Sequence, residues 1–313
     1  VDLLNQAEKE VTGQDFTSPE NFSADMKSIG FDPQTDTAVI LTADGRYAGY
    51  AEVFAGKNPA VRLRSYGLVH PAFHGRGYGT RLIQWSEERG RQLVHQAPPG
   101  TQVVLHNFVY AAQTDSIELV KQNGYRHIRS NYRMLIDLDD NLQQPKVPDG
   151  IILRPIENTE EDLRAALSVD YQAFRDHWGM VDEPYEEYFQ RLKQQLMTRP
   201  AYDLSACRVA IAGDVPVGMT LCSLWRDEDA DKGWVNGLGV LKSWRKRGIG
   251  MALLLEAFAE FKKRGKKRAG LYVDAENLSG ALKLYLQAGM RVELETQIYE
   301  KKLRQGIDLM VRG

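Results

Sequence analysis

Two glycine-bearing loops hold the residue types best suited to chemistry. In Val240-Leu-Lys-Ser-Trp-Arg-Lys-Arg-Gly-Ile-Gly250, three cations, Arg245, Lys246 and Arg247, run into Gly248 and Gly250 just ahead of a helix-like stretch opening at Met251. Backbone N–H groups at a helix start lack partners and the helix dipole adds positive potential there, so such a turn is a ready anion site. Glycine lets the main chain approach a diphosphate without a Cβ in the way, and arginine adds forked donors. The second loop, Val69-His-Pro-Ala-Phe-His-Gly-Arg-Gly-Tyr-Gly79, repeats the design: Val69 precedes Gly77, as Val240 precedes Gly248, by eight positions, and Arg76 matches Arg247. The chemistry implied is the binding of a diphosphate.

Three phosphate motifs compete for these loops. A P-loop needs Lys-Ser or Lys-Thr after its last glycine, and neither loop has one. The dinucleotide fingerprint needs Gly-x-Gly-x-x-Gly, and Gly75-Arg-Gly-Tyr-Gly79 lacks its final spacing. The third pattern, Arg/Gln-x-x-Gly-x-Gly/Ala, cradles the pyrophosphate of coenzyme A, and Arg245-Lys-Arg-Gly-Ile-Gly250 meets it in full.

On that motif and the downstream Val273-Asp-Ala-Glu-Asn-Leu-Ser-Gly-Ala-Leu-Lys-Leu-Tyr285, the chain resembles the GNAT superfamily of acetyl-CoA-dependent N-acyltransferases. Its tandem arrangement resembles that of the mycothiol synthase-like, two-domain members. The resemblance implies that Asn277 opens a helix and bonds the pantetheine arm of acetyl-CoA, while Tyr285 sits near the sulfur and protonates the departing thiolate. Eight residues make a little over two helical turns, which would set both side chains on one face. Strand backbone at Leu238, Gly239 and Val240, and the turn from Arg245 through Met251, would hold the rest of the cofactor. In the first copy the positions matching Tyr285 and Asn277 are Val120 and Ala112, and His74 replaces Arg245. Valine cannot donate a proton. That copy is expected not to catalyse, and Val69, His74, Gly75, Arg76, Gly77, Tyr78, Gly79 and Thr80 form either a second cofactor site or a turn the fold retains.

The elements that must position these residues occur twice. Each half reads as strand, strand, glycine loop, helix (80–89 and 251–264), strand (102–105 and 269–273), a helix ending at Gly124 or Gly289, and a final strand. In the second copy Leu254, Ala257, Phe258 and Phe261 recur at helical spacing, an apolar stripe that must face a sheet. Residues 141–150, polar with Pro145 and Pro148, read as a linker between domains 1–140 and 151–313. The second half opens on a strand at 151–156 and a helix from about residue 160 to 174. The first opens inside a helix-like run, 1–10, and so reads as lacking its first strand. The expected fold is mixed α/β, two tandem GNAT domains, each a mostly antiparallel sheet flanked by helices and splayed where its middle strands part.

Composition narrows the function classes. The chain has 313 residues, 40 Lys plus Arg against 42 Asp plus Glu, and 43% hydrophobic residues, the profile of a globular protein with a core in each half. A pI near 6.4 argues against a dedicated nucleic-acid partner, and no apolar run is long enough to span a bilayer. Two cysteines, Cys207 and Cys222, make neither a disulfide scaffold nor a four-ligand zinc site and read as buried small hydrophobes. No metal site is expected, and a reducing cytoplasm is the expected compartment. His177 and Trp178, after the first helix of the second half, are candidate acceptor contacts, and the acceptor is a small-molecule or protein amine. The strand position where the family often carries a glutamate is near Trp234; Asp227, Glu228, Glu183 and Asp274 are weaker candidates for a base, and Asn236 could only orient a water. The assembly is expected to be a monomer or homodimer. A non-catalytic acyl-CoA-binding regulatory module is the alternative reading.

Overall fold

A computed structural model describes residues 1–27, 30–56, 59–199, 201–225, 229–277 and 280–312. The first half contains α1 (Asp2–Thr12), α2 (Pro19–Asp25), α3 (Pro33–Asp36), β1 (Thr37–Leu41), β2 (Tyr47–Phe54), β3 (Arg62–Val69), α4 (Tyr78–Leu93), β4 (Val103–Tyr110), α5 (Thr114–Gln122) and β5 (Arg126–Asp137). The second contains β6 (Ile151–Pro155), α6 (Glu160–Phe174), α7 (Tyr185–Thr198), β7 (Arg208–Ala212), β8 (Val215–Ser223), β9 (Lys232–Val240), α8 (Ile249–Lys263), β10 (Arg268–Asp274), α9 (Ala281–Gln287) and β11 (Arg291–Arg304). The fold is mixed α/β with mostly antiparallel strands, and the repeated order of elements is present in both halves. The first half has no described strand corresponding to β6. It does have β1, whose Val39 and Leu41 are exposed, which explains why no buried-strand pattern marks it in the sequence.

The compact units differ from the linear halves 1–140 and 151–313. One is Val1–Asn131 with Leu294–Leu309, and the other Tyr132–Glu293 with Met310–Gly313. In unit 1 the strands run β1-β2-β3-β4-β11; in unit 2 they run β5-β10-β9-β8-β7-β6. Each half thus lends the end of its last strand to the other unit, β11 pairing antiparallel with β4 from Thr296 to Arg304. A linear reading assigns each strand to its own copy, because hydrophobic alternation says which face is buried but not which neighbour supplies the hydrogen bonds.

One pairing in each unit is parallel, and each stops early. In unit 2, β9 and β10 pair from Lys232↔Arg268 to Val235↔Leu271 and then part. In unit 1, β3 and β4 pair from Arg62↔Val104 to Ser65↔Asn107. The unit 2 break coincides with a bulge: β9 skips a residue against β8 between Gly237↔Leu221 and Val235↔Cys222, which leaves Asn236 as the extra residue. A bulge bends its strand and increases local twist, and so carries β9 away from β10.

On one face of unit 2, α8 buries Leu254, Ala257, Phe258 and Phe261 completely, the stripe its sequence spacing calls for. On the other, α6 buries Leu163, Ala166, Leu167, Asp170 and Ala173. The start of α6 is held by charge as well as by burial. Thr159 is its N-cap, accepting from the Asp162 N–H at 3.2 Å, while Arg154 on β6 grips Asp162 through two bonds of 2.7 and 2.6 Å. The Glu157 N–H also donates to this carboxylate. The Arg154 hydrogen bonds hold the Asp162 carboxyl below its usual value. Its stabilising contribution is therefore present above the unfolded-state value and is lost as pH falls through the lower folded value. Asp162→Asn should cost roughly 1–3 kcal/mol at pH 7, measured by urea unfolding, and the gap from wild type should shrink toward pH 2.

Candidate active site

The site begins where β9 loses β10. The Leu241 N–H bonds the Val217 carbonyl on the β8 side. Strand alternation then turns the polar groups of Leu238 and Val240 toward the opposite edge, from which β10 has diverged. The glycine between them serves packing. A Cβ built on Gly239 would lie 3.1 Å from the Ala173 Cβ, so Gly239 lets α6 approach this strand closely.

The turn after β9 is built largely by its own side chains. Arg245 donates to the Val240 carbonyl at 3.1 Å and to the Ala173 carbonyl at 3.0 Å, tying the strand end to the end of α6. This guanidinium thus shapes the turn rather than standing free for an anion. Arg247 lies over the Trp244 ring at 4.6 Å and donates to the Ser243 carbonyl. Gly248, at φ 83°, caps α8 in the left-handed region and leaves the first-turn N–H groups of Ile249, Gly250 and Met251 without intrahelical partners. Such groups suit a diphosphate, and no Cβ at Gly248 stands in the way. Lys246, at φ 63°, is the one non-glycine residue with positive φ among the described residues.

Unit 1 reproduces this turn almost bond for bond. His74 lies 3.0 Å from the Val69 carbonyl, taking over the bond made by Arg245; Arg76 lies over the Phe73 ring at 5.1 Å, as Arg247 lies over Trp244. Gly77, at φ 78°, caps α4, ahead of Tyr78, Gly79 and Thr80. Gly75, at φ 74°, occupies the position of Lys246. The two units differ on the following helix. Val120 and Tyr285 each accept, through their carbonyls, a 3.1 Å bond from the residue that follows the helix-ending glycine, so the two positions correspond in space as well as in sequence.

Tyr285 is 7% exposed and packs into the unit 2 core. Burial raises its phenol to about 12, so it stays protonated through the physiological range. Asn277 does not open α9. It lies in the turn after β10, its N–H on the Asp274 carbonyl at 3.2 Å, and the helix starts only at Ala281 behind Gly280 in the left-handed region. The expectation that Asn277 and Tyr285 share a helical face is therefore corrected: no continuous helix joins them.

His177 and Trp178 follow α6. Burial lowers the His177 imidazole from its usual value, and Arg245 acts in the same direction against Asp176 and Asp274, so the ring is neutral at pH 7. His177 also meets Phe174 edge to face, with 4.6 Å between ring centroids. The segment is held by the C-terminal residues of unit 2, through Gly179 N–H to Val311 and Val311 N–H to Met180, with Arg312 over the Trp178 ring. Of the candidates for a base, Glu183 is buried in an ion pair with Arg191 at 2.7 Å. Trp234, at the strand position where the family often carries a glutamate, is core, and Asn236, expected only to orient a water, donates to Ser223. Asp227 and Glu228 lie outside the described residues. The basic run at 262–268 is paired with Asp140, Asp203, Asp229, Asp231 and Glu260, about 20 Å along α8 from the glycine turn. Cys207 and Cys222 are fully buried.

The Acetyltransferase (GNAT) family matches residues 4–125 and 165–290. The chain belongs to the GNAT acetyltransferase family. It is 30% identical over 254 residues to a mycothiol acetyltransferase of Thermobispora bispora, covering 80% of this chain and 79% of that protein. It is 26% identical over 256 residues to that of Saccharopolyspora erythraea, covering 81% of each. Among solved structures it resembles a GCN5-related N-acetyltransferase from Sphaerobacter thermophilus, with TM-score 0.83, 34% identity, and coverage of 98% of this chain and 92% of that one. A tandem GNAT protein from the clavulanic acid biosynthesis pathway shares the fold, with TM-score 0.69 at 17% identity, covering 97% of this chain and 94% of that one. The protein is an acyltransferase of tandem GNAT architecture. No helix among the described residues is long and apolar enough to cross a membrane.

Lys246 gives a direct test of the turn. A left-handed lysine costs about 1–2 kcal/mol, whereas glycine costs about 0.5–1 kcal/mol in unfolded-chain entropy. Lys246→Gly should therefore stabilise the protein by up to about 1 kcal/mol in urea unfolding; a loss of stability would mean that the lysine side chain supports the turn.

Proposed function

We propose that unit 2 transfers an acetyl group from acetyl-CoA to a primary amine, by direct attack with both substrates bound. The observation that carries this reading is the presence, in one unit, of a left-handed glycine turn at a helix start, a strand edge from which β10 has parted and a buried, protonated tyrosine. The turn at Gly248, Ile249, Gly250 and Met251 takes the diphosphate. The edge at Leu238 and the N–H of Val240, whose carbonyl is held by Arg245, bond the pantetheine arm as an added strand would. Asn277, in the turn after β10, contacts the same arm.

When bound, acetyl-CoA supplies an activated acyl carbon. The amine nitrogen forms its bond to that carbon as the carbon–sulfur bond breaks. Tyr285 gives its proton to the departing sulfur, and the proton shed by the nitrogen restores the phenol. His177, neutral and beside the turn, contacts the acceptor together with Trp178. The acceptor to try first follows the relatives' name: mycothiol lacking its acetyl group. Unit 1 keeps the turn but carries Val120 where the acid is needed, which supports a ligand-holding or purely structural role without catalysis.

Tyr285→Phe is expected to lower kcat by roughly 100-fold or more, with acetyl-CoA affinity little changed, because only the acid is lost. An unchanged kcat removes Tyr285 from the reaction. In calorimetry with acetyl-CoA, Gly248→Asp should abolish binding to unit 2, since it sets both a Cβ and a negative charge in the anion turn. The equivalent Gly77→Asp change should leave turnover intact. The reverse pattern would assign catalysis to unit 1.

A further inference from the structure

The chain between α6 and α7, residues 175–184, begins with two tight turns. In the first, the His177 N–H donates to the Phe174 carbonyl at 3.0 Å, so the connection hangs directly from the end of α6. In the second, the Met180 N–H donates to the His177 carbonyl at 3.1 Å. Gly179, third in that turn, stands at φ 73°, the left-handed region that a turn of this kind reserves for glycine. The first two positions of the second turn are His177 and Trp178, the candidate acceptor contacts.

This turn stands at the mouth of the unit 2 opening. Arg245, just past the end of β9, bonds the Ala173 carbonyl at 3.0 Å, one residue before α6 ends. The His177 imidazole feels the charge of Arg245 and also that of Asp274, the last residue of β10. Those two charges belong to the ends of the two strands that part. His177 is therefore within electrostatic reach of both sides of the gap.

Three residues from late in the sequence fix the rest of the turn. The Gly179 N–H donates to the Val311 carbonyl at 2.7 Å, and the Val311 N–H donates to the Met180 carbonyl at 2.8 Å. Met310, 6% exposed, forms an antiparallel bridge with Val181, and Arg312 lies over the Trp178 ring at 6.0 Å. Unit 1 holds the connection between its first two helices locally. There the Asn5 side chain accepts from the Phe16 and Thr17 N–H groups at 2.9 and 3.0 Å and donates to the Thr17 carbonyl at 2.9 Å. Pinning a turn with a distant piece of chain costs more loop entropy than pinning it with a neighbouring side chain. In unit 2 that costlier hold falls on the turn that carries His177 and Trp178.

We propose that Met310, Val311 and Arg312 are positioning residues for the acceptor: they hold the His177–Trp178 turn at the mouth of the β9/β10 opening, and this hold sets how tightly unit 2 takes its amine. The proposal rests on acetyl transfer to an amine in unit 2, with His177 and Trp178 as acceptor contacts. The three residues act through the turn and do not touch the reacting atoms. Val311 fixes its backbone with a pair of bonds, Met310 anchors the bridge in buried surroundings, and Arg312 covers one ring of the contact pair. A contact group held in place before the amine arrives loses less freedom on binding it, so loosening the hold weakens amine binding and leaves the acetyl-CoA turn untouched.

The test uses the full chain, acetyl-CoA and whichever of four amines it acetylates fastest: mycothiol lacking its acetyl group, cysteamine, glucosamine or tryptamine. Val311→Pro removes the N–H that bonds Met180. It should raise the KM of the amine roughly 5-fold or more while the KM of acetyl-CoA stays within about 2-fold. Amide hydrogen exchange over residues 177–181 should quicken roughly 10-fold or more in the same variant. Val311→Ala keeps both backbone bonds and should match wild type in all three readings. Arg312→Ala, at an exposed position, should raise the same amine KM about 2-fold or more, and Arg312→Lys, which keeps a cation over the ring, should restore it. The Arg312 pair decides alone should Val311→Pro not fold. Faster exchange with an unchanged amine KM, equal rises in both KM values, or an Arg312→Ala enzyme indistinguishable from wild type overturns the assignment, while wild-type turnover leaves the transferase reading standing. No turnover by wild type on any of the four amines overturns that reading and this assignment with it.

Discussion

The parting of β9 from β10 after Val235 and Leu271 is the constraint on which the candidate site depends. A parallel pair that ran its full length would consume the backbone groups of Leu238 and Val240 and leave no edge for an extended ligand. The bulge at Asn236 turns β9 away, and the Arg245 bonds to Val240 and Ala173 fix where the strand ends. The glycine turn and the strand edge are thus held by one local structure, whose geometry is set by a bulge, a guanidinium and a left-handed glycine.

Duplication makes the physics readable, because each unit is a control for the other. The glycine turns keep their dihedral pattern and their cation–aromatic contact even though Arg245 has become His74 and Trp244 has become Phe73. What diverges is chemistry at inward-facing positions, with buried Tyr285 against Val120 and half-buried Gly237 against Tyr66. A fold tolerates such changes when volume and satisfied hydrogen bonds are kept: Tyr66 brings a hydroxyl to Glu8, and Val120 remains core.

The sheet shows where the duplicated copies are not independent in sequence. Leu294–Leu309 complete unit 1, and Tyr132–Glu293 with Met310–Gly313 form unit 2. Each sheet is completed by chain that a division at the linker would give to the other copy. The strands β4 and β10 are buried on both faces over residues 103–107 and 269–271 and cannot be left as edges there without exposing a row of unpaired amides.

Much was legible in the residues alone. The glycine spacing announced a left-handed turn at a helix start, the stripe through Leu254, Phe258 and Phe261 announced a helix on a sheet, and the repeated order announced two similar units, because these signals are local and set by helical period or backbone freedom. The sequence could also place Val120 opposite Tyr285 by counting from a shared glycine. Tertiary structure alone decided the rest. Asn277 looked like a helix start, yet α9 begins at Ala281, because a left-handed Gly280 intervenes. Arg245, expected at the anion turn, also staples two carbonyls together, since the shape of a turn depends on what its long side chains reach. Pattern reports which residues face inward; only the folded chain reports which inward-facing groups meet.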